Sequence, residues 1–148
     1  KFWAEHSLSQ VDTIALIPGV FHLTYVQNFG AAFNTMNNQR LLLVVLTSAV
    51  LLVIFVLLLL GKLRSPWMVV SWSLILAGGA GNLIDRLFRE GGYVVDLFDF
   101  RLINFPVFNV ADICVTVGMA LFLIYFIFIE RKEHRRFEIR QEIKRHEQ

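Results

Sequence analysis

The sequence predicts a mainly α membrane protein, a transmembrane helix bundle with a small β-sheet on one side of the bilayer. Three observations lead there. Of 148 residues, 56% are hydrophobic and the mean hydropathy is +0.59, a balance typical of membrane proteins rather than soluble domains. Leu41 to Leu60 runs twenty residues without a charge, about the length that crosses a hydrocarbon core at roughly 1.5 Å per residue. Trp67 to Ile84 adds an uncharged stretch of eighteen, and Val107 to Ile129 is interrupted only by Asp112. A buried helix of a soluble protein rarely runs so long without a polar face.

Residues 1–40 read as surface sheet and loop. Within them, Thr13 to Gln27 reads as strand, Pro18-Gly19 turn and strand, with Phe21, Leu23 and Tyr25 alternating against His22 and Thr24. Asn28-Phe29-Gly30-Ala31-Ala32-Phe33 follows, with small residues where backbone can approach a ligand closely, although a plain turn explains it equally well. The first span is 41–60. The second, 67–88, opens with Trp67 and Trp72, which suit a membrane interface. Along it Ser73, Ala77 and Gly81 recur every four residues, a small-residue stripe for close helix packing that Gly78 and Gly79 widen. The third span is 107–129, and a charged tail, 130–148, ends the chain as one membrane domain.

Orientation follows the basic residues. Of fourteen Lys and Arg, nine fall in the 61–66 loop and the tail, which places both in the cytoplasm and the N-terminal segment outside. Yet Lys1 to Asn38 holds no stretch able to cross a bilayer, and the chain begins with Lys. A fourth, N-terminal span upstream of this sequence is therefore expected. The net charge of +2 is concentrated in the tail, where it suits anionic lipid headgroups better than nucleic acid; a solvated helical extension accounts for it as well. Cys114 is the single cysteine, and no Cys/His spacing marks a metal site.

The polar residues within the apolar segments carry the functional signal. Asp112 lies just inside the third span, and a carboxylate there costs several kcal/mol unless it is neutral, paired or wet, so it usually has a task. Asp96 lies on the loop feeding the same span. Two carboxyl groups sharing one site do not both ionise easily, and that split supplies an acid and a base. Asn109 is expected on the same helical face as Asp112, three residues earlier. Asn82 and Arg86 stand four apart on the second span. Arg86 could simply snorkel to the headgroups. Asn28, Asn82, Arg86, Asp96, Asn109 and Asp112 all fall near one membrane level. Read alone, the two aspartates leave open a plainer account, in which Asp112 hydrogen-bonds a neighbouring helix and Asp96 is a solvated loop residue.

Four blocks of this sequence, spanning Asn28 to Asp112, resemble the lipoprotein signal peptidases (signal peptidase II): Asn28-Phe29-Gly30-Ala31-Ala32-Phe33, Gly81-Asn82-Leu83-Ile84-Asp85-Arg86, Val94-Val95-Asp96, and Phe105-Pro106-Val107-Phe108-Asn109-Val110-Ala111-Asp112. The resemblance implies a four-helix aspartyl protease of the bacterial inner membrane, with a small extracytoplasmic sheet cradling the substrate. It implies Asp96 and Asp112 as the catalytic dyad, with Asn28, Gly30, Asn82, Arg86 and Asn109 binding substrate or supporting the dyad. It implies cleavage of prolipoproteins before a cysteine bearing a diacylglyceryl group, without a metal or other cofactor. Asp99 is an alternative carboxylate, set aside because the Val-Val-Asp block matches at Asp96. The expected partners are lipid-modified prolipoproteins and membrane lipids, the expected state a monomer. Two other classes stay open: a transporter or channel subunit with Asp112 as proton or ion relay, and a non-enzymatic membrane scaffold.

Overall fold

The computed structural model describes residues 1–11, 13–30, 39–63, 65–130 and 145. A π-helical turn, Ala4–Leu8, precedes the strands β1 (Thr13–Ile17) and β2 (Phe21–Asn28); the helices α1 (Arg40–Leu59) and α2 (Pro66–Phe88) follow, then β3 (Val94–Phe100) and α3 (Val110–Ile124), which runs on as a π-helical stretch, Tyr125–Glu130. Among the described residues, three helices, Arg40–Leu59, Pro66–Phe88 and Val110–Phe128, are long and apolar enough to cross a membrane. The Ala31-Ala32-Phe33 stretch and, apart from residue 145, the basic tail 131–148 lie outside the described residues.

The helices turn much of their apolar surface outward: Leu41, Val45, Leu52 and Phe55 of α1 are exposed, as lipid-facing side chains should be. Between them is a core of Leu51, Ile54 and Ile75, with Trp72 and Leu83 packed against it. Helices α2 and α3 approach closely at glycines. A Cβ on Gly78 would collide with the Ala111 carbonyl and lie 2.8 Å from Val115, and one on Gly118 would lie 2.7 Å from the Ser71 carbonyl. The small-residue line expected at Ser73, Ala77 and Gly81 is thus only partly the contact line. A Cβ on Gly81 would meet that of Ala111 at 3.4 Å, but Ser73 and Ala77 are exposed, and the buried line is Ser71, Ile75 and Gly78. The reason is geometric: at 3.6 residues per turn a strict four-residue step drifts about 40° around the helix each turn.

The sheet has order β1-β2-β3, all antiparallel. Pro18 and Gly19, the latter at φ +74°, turn β1 into β2 as the sequence predicts. The strand β3 was not expected: Asp96 lies on it rather than in a loop. Val94-Val95-Asp96-Leu97-Phe98 is rich in β-branched and aromatic residues and pairs along β2, with Val26 opposite Asp96 and Asn28 opposite Val94. Val95 packs with Ala4 and Leu8 in a second core that joins the N-terminal turn to the sheet.

The third helix begins at Val110, later than the 107 expected. Phe108 is held extended by a bridge to Phe98 of β3, its N–H donating to the Phe98 carbonyl at 3.0 Å and its carbonyl accepting from Phe98 at 2.8 Å. Asn109 is therefore not on the helical face of Asp112 but is the residue that caps the helix. Its side chain accepts from the N–H groups of Ala111 and Asp112, while the Asp112 carboxylate accepts from the Asn109 N–H, a complete capping box.

Candidate active site

The strand and the helix cap bring the two aspartates to one place. Asp96 enters from β3, almost wholly buried at 2% exposure. Asp112 enters from the first turn of α3, and the bridge between Phe98 and Phe108 locks strand to helix start. Asn109, fully buried, links the two: its side-chain amide donates to Asp96 Oδ1 at 2.6 Å and its backbone N–H to Asp112 Oδ2 at 2.9 Å. The other oxygens are also occupied. Asn28 Nδ2 donates to Asp96 Oδ2 at 3.0 Å, and Asn82 Nδ2 donates to Asp112 Oδ1 at 2.8 Å. Asn28 sits diagonally across the ladder from Asp96, a separation that side chains on one sheet face can span.

Asn82 Oδ1 in turn accepts from Asn109 at 3.2 Å and from Lys1 Nζ at 2.6 Å. Arg86, four residues further along α2, donates from Nη2 to the Gly30 carbonyl at 2.6 Å, and the Gly30 N–H donates to Asn28 Oδ1 at 2.9 Å. Its Nε is buried without a partner among the described residues, a donor still uncommitted. The structure thus draws Asn28, Gly30, Asn82, Arg86, Asp96, Asn109 and Asp112 into one hydrogen-bonded network. Asp99 stands apart, bound to Thr24 at 2.8 Å and Arg101 at 2.7 Å.

The network borders a cavity of about 620 Å³ between the helices. Asn82, Arg86, Asp96 and Asp112 line its polar end; Leu43 and Thr47 of α1, Gly79 of α2 and Val115 to Val117 of α3 line an apolar remainder, with Phe105 to Phe108 across one side. Burial raises the Asp96 pKa above the usual aspartate range. Hydrogen bonds from Asn109 and Asn28 oppose the shift, and the nearby charge of Asp112 adds to it. At Asp99 burial acts the same way, but the bonds from Arg101 and Thr24 prevail and hold it below the usual range. Among the described residues, no three or more His, Cys, Asp or Glu side chains gather as a metal would require.

A further layer escaped the sequence reading. Asp85 accepts the backbone N–H of Val95 at 3.2 Å, fixing β3 one residue before Asp96, and it pairs with Lys1 at 2.8 Å and Arg89 at 3.0 Å. Arg89 also pairs with Glu5, which accepts from the Tyr93 hydroxyl at 2.8 Å. The four-residue spacing of Asp85 and Arg89 was the one available signal; the partners from residues 1–5 are too distant in sequence to be inferred.

Residues 1–128 match the family described as signal peptidase (SPase) II. The chain belongs to that family and is a peptidase, a membrane hydrolase rather than a transporter or scaffold. It is 42% identical over 134 residues to a lipoprotein signal peptidase of Streptococcus thermophilus (strain CNRZ 1066), covering 90% of this chain and 86% of that one. It is 40% identical over 124 residues to a lipoprotein signal peptidase of Trichormus variabilis, covering 84% and 77%. A solved bacterial membrane enzyme, determined in meso at 2.3 Å resolution, has the same fold, with a TM-score of 0.75 at 28% identity over 84% of this chain and 78% of that one.

Proposed function

We propose that the protein is an aspartyl endopeptidase that removes signal peptides from diacylglyceryl-modified prolipoproteins, cutting before the lipidated cysteine, with Asp96 and Asp112 as the dyad. The observation that carries this reading is Asn109, whose side chain and backbone hold the two carboxylates together at the polar end of an apolar cavity. Relatives named lipoprotein signal peptidase support the substrate class.

The chemistry assigns different tasks to the two acids. Asp96, the more buried of the two and held above the usual aspartate range by that burial, carries the shared proton. Asp112, its oxygens facing N–H donors at the positive end of α3, is the carboxylate. Asp112 takes a proton from a water held between them as that water attacks the scissile carbonyl, and Asp96 donates its hydrogen to the developing oxyanion. Collapse of the tetrahedral intermediate expels the cysteine's α-amine, protonated by Asp112, which now holds the water's proton, while the hydroxyl that becomes the new carbonyl returns its proton to Asp96. Arg86, through its spare donor, holds substrate backbone carbonyls in register.

Substrate lipid supplies most of the anchoring. Each buried methylene is worth about 0.8 kcal/mol, so two acyl chains in the bilayer outweigh the peptide contacts, and peptide recognition can be sparse. The sheet and dyad face the extracytoplasmic side, and the 61–66 loop and basic tail face the cytoplasm. The test is a gel-shift cleavage assay on one precursor with its cysteine modified or unmodified, in the same detergent. Cleavage of the lipidated form alone is expected; equal cleavage of both would sink the lipoprotein assignment.

A further inference from the structure

Arg40, the first residue of α1, donates from Nε to the Arg86 carbonyl at 2.9 Å and from Nη2 to the Leu87 carbonyl at 3.2 Å. Both carbonyls belong to the last turn of α2, where a helix leaves its final C=O groups without intrahelical partners. The room for this guanidinium comes from Gly92, at φ +71°, where a Cβ would collide with Nε and Cδ of Arg40 and lie 2.7 Å from Cζ. The neighbouring Gly91, at φ +83°, has no such contact: a Cβ there would meet only Phe29 and Tyr93, each at an ordinary 3.6 Å.

The two arginines are therefore joined head to tail. Arg40 grips the backbone of Arg86, and Arg86 grips the Gly30 carbonyl; Gly30 is tied to Asn28, and Asn28 to Asp96. We propose that Arg40 is a positioning residue for the substrate clamp: by holding the last turn of α2 through the slot at Gly92, it keeps the Arg86 guanidinium aimed at the polar end of the cavity. The inference rests on the reading of Arg86 as the residue that holds substrate. The competing account is that Arg40, which remains exposed, is a basic residue at a helix end reaching for headgroups. The two accounts part over lysine. Lysine serves a headgroup as well as arginine does, but it lacks the planar fork that makes two directed bonds to adjacent carbonyls.

The experiment measures kcat/KM on a diacylglyceryl-modified precursor for the full-length protein. Arg40→Lys is expected to lower it about tenfold at unchanged expression and unfolding midpoint, and to add no further loss in an Arg86→Lys background, because two residues acting as one unit are not additive. Gly92→Ala is expected to reproduce the loss. Gly91→Ala imposes the same left-handed strain without touching Arg40 and is expected to retain wild-type turnover; this pair carries the test if Arg40 variants fold poorly. Wild-type kcat/KM in Arg40→Lys overturns the proposal. So does an equal loss in wild-type and Arg86→Lys backgrounds, or an equal loss from the two glycine substitutions. Arg86→Lys alone judges the clamp reading: full activity there removes the clamp, whereas a large loss there with an intact Arg40→Lys removes only the role of Arg40.

Discussion

At the residue scale, what separates Asp96 from Asp99 is its company. Both lie on β3 and both are buried, yet Asp96 meets amides and a second carboxylate, while Asp99 meets a guanidinium. Asparagine preserves the shape of aspartate and removes its acid and base capacity. Asp96→Asn and Asp112→Asn are each expected to reduce cleavage by several orders of magnitude, with the double variant scarcely worse, while Asp99→Asn stays active. Near-normal single-turnover rates in either of the first two would remove that aspartate from the mechanism. On the proposed mechanism, the raised pKa of Asp96 sets the pH profile. Its proton is retained to higher pH than that of an ordinary aspartate, so the alkaline limb of kcat/KM falls above the usual carboxyl range. Asp112 stood out in the sequence because a carboxylate inside an apolar span is costly, and Asp96 because it is a second carboxylate on the segment feeding that span. The contacts of Lys1 and Arg40, and that of Asp85 with the Val95 backbone, were not legible, since each joins groups at least ten positions apart, and no local pattern announces such contacts; only the four-residue spacing of Asp85 and Arg89 did.

At the element scale, one residue serves both a helix start and the pair of aspartates. Asn109 accepts two N–H groups of α3 through its oxygen and donates through its nitrogen to Asp96. Asn109→Ser keeps a good cap and loses the amide donor, so thermal stability should change by about 1 kcal/mol or less while cleavage drops sharply; Asn109→Ala should lose about 1 kcal/mol in addition. If Ser restores activity, the amide is not needed at Asp96. Helix packing offers a second test. Gly78→Val drives a side chain into the Ala111 carbonyl and should cost about 1–3 kcal/mol in detergent unfolding, whereas Ala77→Val, on the exposed face, should stay within about 0.5 kcal/mol. Equal effects would mean that the close approach at Gly78 does not govern the α2–α3 contact. The three spans could be read from length and apolarity alone. Which glycine faces which neighbour could not, because a stripe in sequence shifts around the helix with every turn. The strand β3 was hidden for another reason: its hydrophobic alternation is broken by Asp96 and Asp99 on its two faces, which resembles loop until β2 is seen to pair with it.

At the scale of the whole molecule, two layers are held by different forces. The helices meet through apolar side chains and close backbone contacts. The apolar cluster of Ala4, Leu8 and Val95 joins the N-terminal turn to the sheet, and ion pairs and charged hydrogen bonds add to it: Lys1 and Arg89 with Asp85 and Arg89 and Tyr93 with Glu5 tie these parts to α2, while Arg101 and Thr24 with Asp99 brace the sheet itself. Bonds from Arg89 and then Tyr93 lower the Glu5 pKa from its ordinary 4.5, and Asp99 is held below its ordinary 3.8. A group whose folded pKa is depressed contributes stability that is present above its ordinary value and lost as pH falls through the folded one. Asp96 runs the other way: its raised pKa means the folded protein binds that proton more tightly, so protonating it does not loosen the fold. Acidification through and below pH ~4 should therefore release the sheet layer before the helices. In hydrogen-exchange measurements on the protein in detergent, amides of β2 and β3 should lose protection over that window, while those in the middle of α1, α2 and α3 keep it. Glu5→Gln should shift the loss in β3 toward higher pH, because a neutral amide cannot replace the charge facing Arg89. Simultaneous loss of protection in strands and helices would show that the layers unfold as one unit and that the charged contacts do not form a separate joint.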